Sequence, residues 1–182
     1  YAQVRSLWSL GRAFGAPLSF ALRIGRTVPI NTLDDIKAAS DEFFRRHWPS
    51  SGVEVPRWNS PWDLIGTLPG HNKQGVYLLL GEHGEVLYIG VGASLGGGKY
   101  TGYGLGSRTG QYFRMAEGQR GIPVKDRQYV PNNKWAERGV SQVVTLGFHQ
   151  DYAYLAYGLE AFLLRKIETP YNKVRSARAS NS

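Results

Sequence analysis

The chain has no cysteine and a single methionine, which excludes a disulfide framework, a thiolate zinc site and a cysteine nucleophile. Acidic residues are scarce: 14 Asp and Glu stand against 22 Lys and Arg, a formal charge of +8. A surplus of that size favours a polyanionic partner, a nucleic acid or an anionic membrane, over a neutral small molecule. Long apolar runs are missing too. The uncharged stretch Ala13 to Leu22, between Arg12 and Arg23, is shorter than the roughly 20 residues that span a bilayer. Gly15 and Pro17 break it as a secretory signal. The basic, amphipathic segment Trp8 to Arg26 has the makings of a membrane-surface helix, but a helix packed on its own domain is the expected state, and no membrane partner is expected. The four histidines (His47, His71, His83 and His149) show no ligand spacing; only His149, at the end of an expected strand, stays as a remote catalytic candidate.

What is present is a folded composition. Aromatics at 13% and hydrophobics at 42% of 182 residues suit one domain, or one domain with an appendage. Tyr1 in place of Met reads as part of a longer protein. Residues 1–74 carry nine basic and six acidic groups, and residues 75–182 carry thirteen and eight, so any basic surface must be assembled by folding. Residues 1–70 read as a helical accessory region with a Pro/Trp-rich joint, and 71–182 as the main domain. Thr32 and Asp35 form a capping-box pattern that opens a helix to about His47. Trp48, Trp58 and Trp62 are expected to pack on a neighbour.

From Gly75 the texture becomes that of strands. Gly75 to Leu80 and Glu85 to Gly90 are apolar runs around Gly81-Glu-His-Gly84, the pattern of a hairpin buried on both faces. A four-residue loop sets Tyr77 directly opposite Tyr88, with both phenols on one side. Nine of the 23 glycines lie between Gly90 and Gly110, too many for regular structure. A helix is expected from Leu105–Ser107 through Tyr112, Phe113 and Met115, with Arg108 and Tyr112 on one face. A polar loop (119–135) leads to a third strand, Ser141 to His149, with Val144, Leu146 and Phe148 on one side. Asp151 is expected to cap a helix over Tyr152–Ile167, with Leu155, Leu159, Phe162, Leu163 and Ile167 toward the core and Glu160 at the stripe's edge.

Two glycine motifs fall short of the chemistry they suggest. Gly92-Ala-Ser-Leu-Gly96 fits a nucleophile elbow, but Gly97-Gly98 follow where a helix is needed. Gly98-Lys99 resembles a phosphate-binding loop, yet Ala93 and Tyr100 stand where Gly and Ser/Thr are required.

A joint pattern is more specific. Gly75-Val-Tyr77, Tyr88-Ile-Gly90, Arg108, Glu160 and Pro170-Tyr-Asn172 occur in order, with Tyr88 eleven positions after Tyr77 and Asn172 twelve after Glu160. Over residues 75 to 174 this resembles the GIY-YIG nuclease superfamily. The first triplet reads Gly-Val-Tyr, and the connection from Tyr88 to Arg108 is longer than usual, so Arg114 also competes for the arginine position. Arg108 is preferred for its spacing to Tyr112. The resemblance implies an α+β fold: a small three-stranded antiparallel sheet flanked by helices, with the N-terminal helical region attached. It implies a Mg²⁺-dependent (or Mn²⁺-dependent) DNA endonuclease with one ion per site on Glu160. Arg108 would hold the scissile phosphate, and Tyr77 would be a general base or proton relay if the cation and Arg108 depress its pKa. Tyr88 and Tyr112 would orient water or phosphate, and Asn172 would hold the site together. Lys99, Arg114, Lys166, Lys173, Arg175 and Arg178 are the expected DNA contacts, with Arg120, Lys125 and Arg127 beside them. The expected role is a restriction enzyme, or a toxin or effector nuclease paired with an inhibitor protein, acting on DNA in the cytoplasm. The alternative is a catalytically inactive nucleic-acid-binding module of the same fold.

Overall fold

The computed structural model describes residues 31–49, 52–94 and 104–172. The Trp8–Arg26 segment, Gly96 to Lys99 of the glycine motifs, and Lys173, Arg175 and Arg178 lie outside the described residues. The protein is α+β. Strands β1 (Gly75–Leu80), β2 (Val86–Gly92) and β5 (Gln142–Gly147) form an antiparallel sheet in the order β2-β1-β5, and β3 (Phe113–Met115) pairs with β4 (Tyr129–Pro131) in a small second sheet. Helices α1 (Leu33–His47), α2 (Leu105–Thr109), α3 (Asn133–Ala136) and α4 (Leu155–Lys166) complete the order. Among the described residues no helix is long and apolar enough to cross a membrane.

Helix α1 has the expected bounds for a local reason. The Thr32 side chain accepts from the Asp35 N–H, and the Asp35 carboxylate accepts from the Thr32 N–H at 2.8 Å, closing a reciprocal cap. Its buried face (Ile36, Phe43, Phe44) joins Leu159 and Leu163 of α4 and Val76, Leu78, Val144, Leu146 and Phe148 of the sheet in one apolar cluster. Helix α1, within the stretch read above as an accessory region, therefore supplies side chains to the core of the sheet. Trp48 packs edge-on to Phe44, and the Trp58 Nε1–H donates to Ser40 Oγ at 3.0 Å. Trp62 lies on the sheet's other face, its backbone paired with Val143.

The hairpin register differs from the simple expectation. Tyr77 pairs with Gly90, and Tyr88 pairs with Leu79. Leu80 pairs with Val86, so the connection is one residue longer than expected, and that slip alone would turn Tyr88 to the opposite face. A bulge that leaves Leu87 unpaired slips the register once more and turns Tyr88 back. Both phenols end on one face because the two slips cancel in phase.

Two further expectations are corrected. Helix α2 ends at Thr109 instead of running through Met115, because Gly110 closes it and the chain from Phe113 is drawn into β3 by β4. Tyr112 reaches Arg108 through a turn, with its N–H on the Thr109 carbonyl at 2.8 Å. Asp151 is not the cap of the last helix. His149 accepts from the Asp151 N–H and caps a short 3-10 turn, Gln150–Tyr152, and α4 begins later, at Leu155, without a side-chain cap.

Candidate active site

β1 carries Tyr77 inward on the face opposite the apolar cluster, where it is fully buried. Its hydroxyl donates to the Tyr112 hydroxyl at 3.0 Å. Tyr88 stands beside it, ring centroids 6.1 Å apart, and Tyr112 at 5.9 Å. The two motif glycines have steric reasons. A Cβ on Gly90 would lie 2.4 Å from Tyr77 Oη, and one on Gly75 would lie 1.9 Å from the Leu146 carbonyl oxygen. The Tyr77 ring crosses directly over Gly90, and no side chain fits beneath it.

Arg108, exposed at the end of α2, acts through its guanidinium on Tyr77, Tyr88, Tyr112 and Glu160. Arg114 sits exposed on β3, and Arg108 is the arginine whose charge acts on these groups. Glu160 projects from α4 to the edge strand, where the Val91 N–H favours its ionised form. Asn172 ties the chain to the same strand. Its Oδ1 accepts from the Ile89 N–H at 2.8 Å, and its Nδ2 donates to the Ile89 carbonyl at 2.7 Å. The amide thus replaces the neighbouring strand that β2, at the sheet's edge, lacks.

Electrostatics separate the roles. Burial pushes the Tyr77 phenol well above its ordinary value, and the bond to Tyr112 pushes the same way; Arg108 opposes both and loses. Arg108 thus acts in the expected direction, but burial and the Tyr112 bond outweigh it, and Tyr77 is held as a protonated donor. Tyr88 is raised by burial, then by Tyr112 and Glu160. The Arg108 pKa is raised, first by Tyr112. Burial raises Glu160, while the Val91 N–H and Arg108 pull it down. Half-buried beside a cationic guanidinium, its ionised form is one that a second cation would favour. Among the described residues no three His, Asp or Glu side chains cluster as metal ligands. A hard cation at Glu160 would complete its oxygen shell from water and substrate, and the single carboxylate fits an ion bound in that way.

Six expected residues (Tyr77, Tyr88, Arg108, Tyr112, Glu160, Asn172) thus surround the outer half of the hairpin. Lys166 does not join them. Its ammonium is bound to Glu42 of α1 and lies 5.0 Å from the Phe162 ring. Arg127 is half-buried and donates to the Ile122 carbonyl at 3.0 Å, while Arg120 and Lys125 are exposed. His149 lines a separate groove of about 760 Å³ with Arg57 and Lys73, which none of the six residues lines.

Sequence reasoning missed Trp135, Arg138 and Tyr171. Trp135 is buried against both Tyr88 and Tyr112, at 5.3 and 5.4 Å. The sequence held one signal for it: Asn132 three positions earlier is a helix cap, and its side chain accepts from the Trp135 N–H.

No family model matches the chain, and no curated protein or solved structure shows significant similarity to it.

Proposed function

We propose that the protein is a Mg²⁺-dependent endodeoxyribonuclease of GIY-YIG type. The observation that carries this reading is the convergence of three phenols, one guanidinium and one half-buried carboxylate on the outer half of a single hairpin. Hydrolysis of a phosphodiester forms a bond from a water oxygen to phosphorus, breaks a P–O bond, and delivers a proton to the leaving oxygen. The resemblance assigns the leaving group as the 3′ oxygen, giving 5′-phosphate and 3′-hydroxyl ends.

Arg108 is the group to hold the scissile phosphate. Its planar fork matches two phosphate oxygens, and its exposed position leaves it open to a large substrate. Tyr112 accepts from Tyr77, so its own proton is left to be donated outward to water or phosphate. Tyr77 serves by fixing that direction and not as a standing phenolate. Tyr88, half-buried, is placed to orient the attacking water. A Mg²⁺ or Mn²⁺ ion at Glu160 would supply Lewis-acid neutralisation of the charge developing at phosphorus. The +8 charge supports DNA, whose affinity would fall steeply with salt.

The test is plasmid digestion with Mg²⁺, with and without EDTA, for the parent and Glu160→Ala. The parent is expected to cut only without EDTA, and the variant to lose about a thousandfold in rate while keeping its melting temperature. Full activity of the variant overturns the reading. A parent that binds but never cuts would replace it with the inactive binding module. Discrete fragments would mark a restriction enzyme; a smear would mark a nonspecific toxin or effector nuclease, for which an inhibitor protein is the expected partner.

A further inference from the structure

Arg138 has no role in the mechanism above, yet its placement is specific. Its guanidinium carbon lies 4.7 Å from the centre of the Trp135 ring and 4.4 Å from that of Tyr171. Those rings stand edge to face, 6.3 Å apart at 81°. The arginine therefore rests against two aromatic surfaces at once. Among the described residues no carboxylate pairs with its charge and none accepts from its side chain. A guanidinium held against aromatic rings makes no hydrogen bond to them through its edge, so its N–H groups stay able to donate to an anion.

Both supporting rings are fastened to the walls of the candidate site. Trp135 packs on Tyr88 and Tyr112, and its helix is held by the Asn132 N–H on the Tyr112 carbonyl at 2.8 Å and the Asn132 Nδ2 on the Gln111 carbonyl at 3.1 Å. Tyr171 donates its N–H to the Leu87 carbonyl at 3.2 Å, one residue before the Asn172 clamp. Arg138 is thus a half-buried cation set one aromatic ring away from Tyr88 and Tyr112, with little freedom left to lose on binding.

We infer that Arg138 is a second phosphate-binding residue, gripping a backbone phosphate beside the one that Arg108 holds. Successive charges on one strand rise about 3.4 Å along the duplex axis, so a cation one ring away from the reacting position meets a neighbouring phosphate, not the scissile one. Arg138 then orients the strand without touching the reacting atoms. The inference rests on the nuclease reading for its ligand, and the two can fail separately.

The experiment is a titration of a short fluorescein-labelled DNA duplex in EDTA across a KCl series, with the parent, Arg138→Gln and Arg138→Lys. Circular dichroism melts check that each is folded. Arg138→Gln is expected to bind about tenfold more weakly, as one charge-assisted contact implies. Its log Kd against log[salt] line should be shallower by about 0.9, the loss of one phosphate contact. Arg138→Lys should recover the parent slope. A folded Arg138→Gln with unchanged slope, or an Arg138→Lys that shares its defect, overturns the inference and leaves the nuclease reading intact. A parent that shows no salt-dependent DNA binding overturns both. A parent that binds with the expected slopes but never cuts with Mg²⁺ supports Arg138 as a phosphate contact and removes only the catalytic reading.

Discussion

The central sheet has two faces, and they follow different rules. One face is apolar and closed: Val76, Leu78, Val144 and Leu146 are inaccessible to solvent beneath α1 and α4, with Leu159 of α4 equally buried. The other collects Tyr77, Tyr88, Tyr112, Trp62 and Trp135, with hydroxyls and a guanidinium among the rings. Alternate residues of one strand serve the two. Val76, Leu78 and Leu80 face the first cluster, and Tyr77 and Leu79 face the second. On the apolar face an error leaves a cavity, and its effect scales with lost volume. On the aromatic face the same displacement moves hydroxyls whose use depends on hydrogen-bond geometry. The pleat of β1 therefore separates what holds the molecule together from what could do chemistry.

That division can be broken by experiment. The largest effect on stability belongs to the apolar face. Leu159→Ala is expected to lower the unfolding free energy by about 3 kcal/mol, read from urea denaturation, while the folded fraction keeps its cleavage rate. A folded Leu159→Ala protein without activity would show that the faces are not independent. Gly90→Ala is the counterpart on the other face. Its new methyl would lie 2.4 Å from Tyr77 Oη and 2.8 Å from Tyr88 Cε1, so overpacking of about 1–3 kcal/mol is expected. Cleavage at matched folded fraction should fall well beyond that loss. Stability lost with activity retained would remove Tyr77 from the reaction.

The smallest effect sharpens the boundary where α4 meets β2. Burial raises the Glu160 pKa above its ordinary 4.5, so the folded state keeps this proton to higher pH than the unfolded chain does. The contribution to stability is present below the unfolded value and lost as pH rises through the folded one. Glu160→Gln is therefore expected to melt above the parent at neutral pH, with the gap closing below 4.5. Added Mg²⁺ should raise the parent's melting temperature and leave that of the variant unmoved. A gap that ignores pH would place Glu160 away from the buried edge.

How much of this was legible depended on range along the chain. The bounds of α1 were written in Thr32 and Asp35, three residues apart, and β1 in an unbroken apolar run. The β3–β4 pair was not, because three residues per strand are too few to establish an alternation. The end of α2 lay in plain sight at Gly110, but the pull of β4 on residues 14 to 18 positions before their partners did not. The site residues were readable as a spaced set, whereas Trp135 and Arg138 sit in a polar stretch whose importance comes only from what packs against it.

The order of the chain alone fixed the Thr32 cap of α1, the strand runs, the absence of thiols and the cationic surplus, since each is a property of neighbours or of composition. Only the folded molecule decided the register by which Tyr88 shares a face with Tyr77, that Asn172 completes the edge of β2, and that Arg138 rests against two rings. A bulge, an edge and a stack are relations between distant segments. Their energies exist only once the sheet has formed and burial has made every unpaired polar group expensive.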